Sequence, residues 1–132
     1  MPKIIIASGP VIVENGKVLL NQHGDDMFWK FCGGKAEDFE LDLIETAKKE
    51  VMEEMGIEIE IINPKPFIQH VVKQSDTGDK DIILVHYLAS RIGEIKEGAD
   101  IKKWGWFKLN DLPPDLGPNI LPALKYFGFI KE

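Results

Sequence analysis

One stretch constrains this chain more than any other. Residues from about Leu43 to Met55, LIETAKKEVMEEM, carry a helical period and stand between runs of β-branched residues. KIIIASGPVIV and KVLLNQ come before it, joined by ENGK, a hairpin signal. IEIEII, FIQHVVKQS, DIILVHYLASRI and KKWGWFKL come after it as further strands, with NPKP and DTGD read as breaks between them. GEIKEGADI reads as a polar loop, and NILPALKYFGF as a short second helix. Strands, a helix, more strands and a helix predict an α/β or α+β chain with a mixed sheet. At 132 residues, a single domain spanning 1–132 is expected. The pattern leaves the strand order open.

The first helix carries its charge at the wrong end. At about 100° per residue, Glu50, Glu53 and Glu54 share an arc of about 100°, beside a stripe formed by Ile44, Ala47, Val51 and Met55. Glu50 with Glu53 and with Glu54 are like-charge pairs at i,i+3 and i,i+4, each unfavourable by about 0.2–0.5 kcal/mol. Gly56 is placed as the residue that ends the helix, so Glu53 and Glu54 fall in the last turn. There the helix dipole opposes negative charge by ~0.3–1 kcal/mol each. A bound divalent cation reverses the sign of these contributions. Clustered carboxylate oxygens suit Mg²⁺ or Mn²⁺. The double glycine of CGGK, about ten residues upstream, lets a backbone approach a ligand.

Composition narrows the partners. No apolar run approaches the ~18 residues of a membrane span. MPKIIIASG, with one lysine and a short apolar run, reads as a strand rather than a signal peptide. The one cysteine, Cys32, excludes an internal disulfide and is expected to be structural. A cytoplasmic location is expected. Net charge is −6 and no basic stripe is present, which argues against a nucleic-acid polymer as partner. A small anionic substrate remains compatible if a cation mediates its binding. His23, His70 and His86 form no ligand spacing.

Taken together, these residues resemble the signature box of the Nudix hydrolases, G-x5-E-x7-R-E-U-x-E-E-x-G-U, where U is a bulky aliphatic residue. Gly34 and Glu40 match its start; Glu50, Val51, Glu53, Glu54, Gly56 and Ile57 match its end. FWKFCGGK is similar to the aromatic segment that often precedes the box, where proline commonly stands in place of Cys32. The chain departs twice from the pattern. Lys49 occupies the arginine position, and lysine makes no bidentate contact. One extra residue, placed near Leu41 and Asp42, separates Glu40 from Lys49 and leaves the role of Glu40 open.

The resemblance implies an α/β/α sandwich with a mixed β-sheet. It also implies Mg²⁺-dependent hydrolysis (Mn²⁺ being the alternative ion) of a nucleoside diphosphate linked to another moiety. Glu50, Glu53 and Glu54 would be the catalytic and metal-holding residues, with the main-chain oxygen of Gly34. A further carboxylate is expected from the loop that carries Glu94, Glu97 and Asp100, with Glu97 favoured; Glu53 or this loop acid would accept the water proton. Lys35 is a candidate phosphate contact, and Phe31, near Trp29, a candidate for stacking on a base. LPPDLGPNILPAL resembles the C-terminal stretch of the branch that cleaves oxidised dGTP, which makes Asn119 either a base reader or the N-cap of the last helix. The leading expectation is a nucleoside triphosphate pyrophosphohydrolase that releases a monophosphate and pyrophosphate. An ADP-sugar or dinucleoside polyphosphate hydrolase is the alternative. A non-catalytic nucleotide sensor ranks third, because all three helix glutamates are retained.

Overall fold

The computed structural model describes residues 3–23, 27–36, 42–74 and 76–131. Six strands and two helices follow in chain order: β1 (Lys3–Glu14), β2 (Lys17–His23), β3 (Gly34–Lys35), α1 (Leu43–Met55), β4 (Glu58–Lys73), β5 (Lys80–Ile92), β6 (Ile101–Lys108) and α2 (Ile120–Tyr126). The sheet runs β4-β5-β1-β2-β6, with β3 paired to β1. β1 and β5 are parallel and the other pairs antiparallel, so the sheet is mixed. Between β1 and β2, Asn15 and Gly16 both take positive φ (52° and 76°). That pair of left-handed residues suits a two-residue turn matched to the twist of a hairpin, as ENGK predicts.

The central strands are apolar on both faces, and this sets the layers. Ile12 and Leu19 pack with Ala47, Val51 and Met55 of α1. Their chain neighbours Val11, Val18 and Leu20 pack with Ile120, Ala123 and Leu124 of α2. Alternation along a strand thus sends successive residues into two cores, and the helices cover opposite faces. The expected α/β/α sandwich is the fold observed. Among the described residues no helix is long and apolar enough to cross a membrane.

One expected break is absent. NPKP does not separate two strands; β4 runs through it for 16 residues. Its pairing with β5 shifts between Ile61 and Asn63 and again between Asn63 and Phe67. The Asn63 side chain accepts a bond from the Lys65 N–H there (3.0 Å). β4 lies at the sheet edge, so prolines lacking an N–H sit at an irregularity without costing the strand its partner.

Candidate functional site

α1 is built where its period predicts and is fixed at both ends. Asp42 caps the N-terminus: its Oδ1 accepts bonds from the N–H groups of Ile44 (2.9 Å) and Glu45 (3.4 Å). The sequence reading passed over this cap, although an acidic residue three positions after an aspartate is its usual signal. Gly56 ends the helix in the left-handed conformation, φ 67°, as expected. Ala47, Val51 and Met55 are buried, together with Thr46; Ile44, near the start, is only half-buried.

The acidic arc opens onto a cavity of ≈ 270 Å³ lined by Gly33, Gly34, Glu50, Glu53, Glu54 and the turn from Gly98 to Ile101. Glu50 lies against Gly34 so closely that a Cβ there would stand 2.6 Å from the Glu50 Cδ. Only glycine leaves this carboxylate its place. Glu54 Oε1 accepts a bond from the Gly33 N–H at 2.8 Å. Burial pushes the Glu54 pKa up to about 7 and the neighbouring Glu50 charge adds to the rise, while the Gly33 N–H, Lys30 and Asn21 oppose it. Glu53 is the most exposed of the three.

The loop after β5 closes the other wall. The N–H groups of Lys96 and Gly98 bond to the carbonyls of Met55 (2.8 Å) and Glu54 (2.7 Å), so a loop backbone satisfies the C-terminal end of α1. A Cβ on Gly98 would stand 2.7 Å from the Glu53 carbonyl oxygen. Of the three loop acids, Asp100 lines the cavity. Glu97 does not; its Oε2 accepts the indole N–H of Trp104 at 2.9 Å. Glu94 is exposed.

The expected substrate contacts divide. Lys35 follows Gly34 on β3 and is exposed. Phe31 is 5% exposed and tilted against His86, with ring centroids 4.9 Å apart, inside the α2-side core. Its burial leaves little ring surface for a base, which corrects the expectation that it stacks; Phe28, more exposed, is the nearby aromatic that offers a face. Trp29 packs edge-on against Phe107. Asn119 stands at the start of α2 but makes no side-chain capping bond. Its Oδ1 and the Phe28 ring both lie 3.4 Å from the point where a Cβ on Gly117 would be. Backbone bonds from Trp29 N–H to the Asp115 oxygen (2.7 Å) and from Gly117 N–H to the Trp29 oxygen (2.9 Å) hold these segments together. These bonds tie the Trp29 segment to the turn before α2, where Asn119 is itself buried, at 6% exposed. Glu40 lies outside the described residues.

The donor set fits a hard divalent cation: carboxylates and a main-chain glycine packed against one of them, around one small cavity. Among the described residues no three acidic, histidine or cysteine side chains converge to enclose an ion by themselves. Mg²⁺ keeps several waters and is usually held by one or two carboxylates with substrate oxygens, so a full protein cage is not required.

The NUDIX domain family matches residues 4–127. The structure is similar to that of a MutT NUDIX hydrolase from Burkholderia pseudomallei, at 26% identity and TM-score 0.75, covering 93% of this chain and 97% of the other. It is similar to an ADP-ribose pyrophosphatase from Streptococcus suis, at 25% identity and TM-score 0.65, covering 92% and 87%. A MutT protein from Methanosarcina mazei shares the fold, at 23% identity and TM-score 0.72, covering 96% and 94%. No curated protein matches the sequence.

Proposed function

Because the chain belongs to the Nudix family and is a hydrolase of pyrophosphate bonds, we propose that it cleaves a nucleoside triphosphate to a monophosphate and pyrophosphate, using Mg²⁺ or, alternatively, Mn²⁺. The observation that supports the metal reading is that Glu50, Glu53 and Glu54 line one cavity with Gly34, Glu54 bonded to the Gly33 N–H and Glu50 packed on Gly34. A cation held by these groups would neutralise the phosphates and lower the pKa of the attacking water. Glu54 is anchored by the Gly33 N–H, and Glu50 is pressed against Gly34. Glu53, exposed on the cavity wall, is free of such anchoring and suits the acceptance of the water proton. A further carboxylate would come from the loop: Asp100, which lines the cavity, or Glu97 if it leaves the Trp104 indole. Lys35, exposed next to Gly34, is the candidate phosphate contact.

Triphosphate preference rests on Asn119. Its side chain is buried, at 6% exposed, yet makes no capping bond to α2, and that unspent amide is what supports a base-reading role. The Streptococcus suis likeness supports a second reading, an ADP-sugar hydrolase. A sensor without activity ranks third, since none of the three helix glutamates is lost. We place the protein in the cytoplasm, acting on free nucleotides rather than on nucleic-acid polymers or membranes.

Asn119→Ala, assayed on purine and pyrimidine triphosphates, 8-oxo-dGTP and ADP-ribose, tests the preference. The expected outcome is a narrowed ratio between the best triphosphate and the rest, because discrimination is a difference in transition-state binding. A melting curve accompanies the assay, because Asn119 is buried and its truncation can also cost stability. An unchanged ratio would remove the reason to prefer triphosphates.

A further inference from the structure

Asn21 on β2 is a buried polar side chain that its strand does not require. Leu19 and Leu20 before it are core residues, and Asn21 itself is 0% exposed. Its main chain is satisfied by Lys30, with N–H to oxygen distances of 2.8 and 2.9 Å. The carboxamide is therefore surplus to strand pairing. Its Nδ2 reaches two weak acceptors, Cys32 Sγ at 3.4 Å and Met55 Sδ at 3.9 Å. Its Oδ1 has no hydrogen-bond partner among the described residues. A buried carbonyl oxygen left unpaired is destabilising, whereas an apolar group of similar shape in its place is often neutral or better. Such a group in a native core calls for an explanation.

The owners of the two sulfur atoms supply one. Cys32 precedes Gly33, which holds Glu54, and Gly34, against which Glu50 lies. Met55 directly follows Glu54 in the last turn of α1. The amide thus spans the seam between the glycine segment and the helix end, the two pieces that make the acidic cavity.

We propose that Asn21 is a positioning residue whose carboxamide clamps the Cys32–Gly34 segment to the C-terminal turn of α1, fixing Glu54 on the Gly33 N–H. It touches no substrate and acts through Glu54. This inference rests on the metal reading of the cavity. Leucine at the same place would fill the core without tying the two pieces together. Stability and site quality should therefore move in opposite directions.

The experiment is a calorimetric Mn²⁺ titration of wild type, Asn21→Leu and Met55→Leu, with melting curves of each in EDTA. Asn21→Leu should bind Mn²⁺ roughly 10–100-fold more weakly, the usual cost of losing a group that orients a metal ligand. In EDTA it should melt at or above the wild-type temperature. Met55→Leu keeps the volume and removes one acceptor; it should weaken binding by a smaller factor and add little when combined with Asn21→Leu. Wild-type Mn²⁺ affinity in Asn21→Leu overturns the proposal. So does a variant that fails to fold or melts well below wild type in EDTA, because the amide would then be a structural group. A wild-type protein that takes up no Mn²⁺ overturns the metal reading itself, a result visible without any Asn21 variant.

Discussion

A single methyl group is enough to disturb this site. A Cβ on Gly34 would press within 2.6–3.0 Å of three Glu50 carboxylate atoms, and those atoms are the far end of a flexible side chain. Gly34→Ala should therefore fold, with a melting temperature near wild type, yet displace a metal-holding carboxylate. A misplacement of that size costs about 10²-fold in activity; activity near wild type would show that Glu50 need not sit against the glycine. His86 tests a different property. It is buried, with Nδ1 3.2 Å from the Gly9 oxygen, and burial lowers its pKa from 6.5 to about 4. Between those values the unfolded chain takes up the proton and the folded chain does not. Its contribution is thus fully present above pH 6.5 and is lost as pH falls, by up to about 3 kcal/mol near pH 4. The raised pKa of Glu54 acts in the opposite direction, so the variant comparison isolates the histidine. The stability advantage of wild type over His86→Gln in urea should shrink between pH 7.5 and pH 5; a constant difference would contradict the assignment. At this scale the sequence showed the shared arc of Glu50, Glu53 and Glu54. It could not show the Gly33–Glu54 bond or the Asn21–Met55 contact, which join residues 21 and 34 positions apart and leave no local spacing to read.

Elements meet where the acidic end of α1 needs partners. No basic residue stands in its last turn. Backbone N–H groups of the loop from Glu94 to Asp100 take that place, and the same loop walls the cavity. A polar loop was legible from GEIKEGADI, but not that its backbone caps a helix more than forty residues earlier. Choosing between its acids needed the structure too, since the indole partner of Glu97 lies on β6. Asp100→Asn, Glu97→Gln and Glu94→Gln should separate by effect: Glu94→Gln stays near wild type, while Asp100 or Glu97 lowers the turnover number at least tenfold, the low end for a group acting on the water or its cation. If Glu97 is the one, Trp104→Phe, which frees it, should alter the Mg²⁺ dependence as well. Mild and equal effects in all three would leave the loop with the capping role alone. β4 shows the opposite failing. NPKP carries every local sign of a break, and the edge position that makes it tolerable is a property of the sheet, not of the segment.

For the whole molecule, apolar runs on β1 and β2 and two amphipathic helices made a two-faced sheet legible, since each face needed a cover. The order β4-β5-β1-β2-β6 and the parallel pairing of β1 with β5 were not legible, because they depend on contacts between residues some 77 positions apart. That pairing matters for function: β1 carries β3 and the glycine segment on one side of the chain's only paired parallel strands among those described, and α1 packs across them with its acidic end beside that segment. A chain of net charge −6 can take a polyanionic substrate into an acidic cavity only with cations to offset the repulsion. The most direct test is pyrophosphate release from nucleoside triphosphates by wild type and Glu54→Gln, in Mg²⁺ and in excess EDTA. Release should require Mg²⁺ and wild-type Glu54, with the variant slowed by orders of magnitude while still folded; full turnover in EDTA, or by Glu54→Gln, would contradict the account.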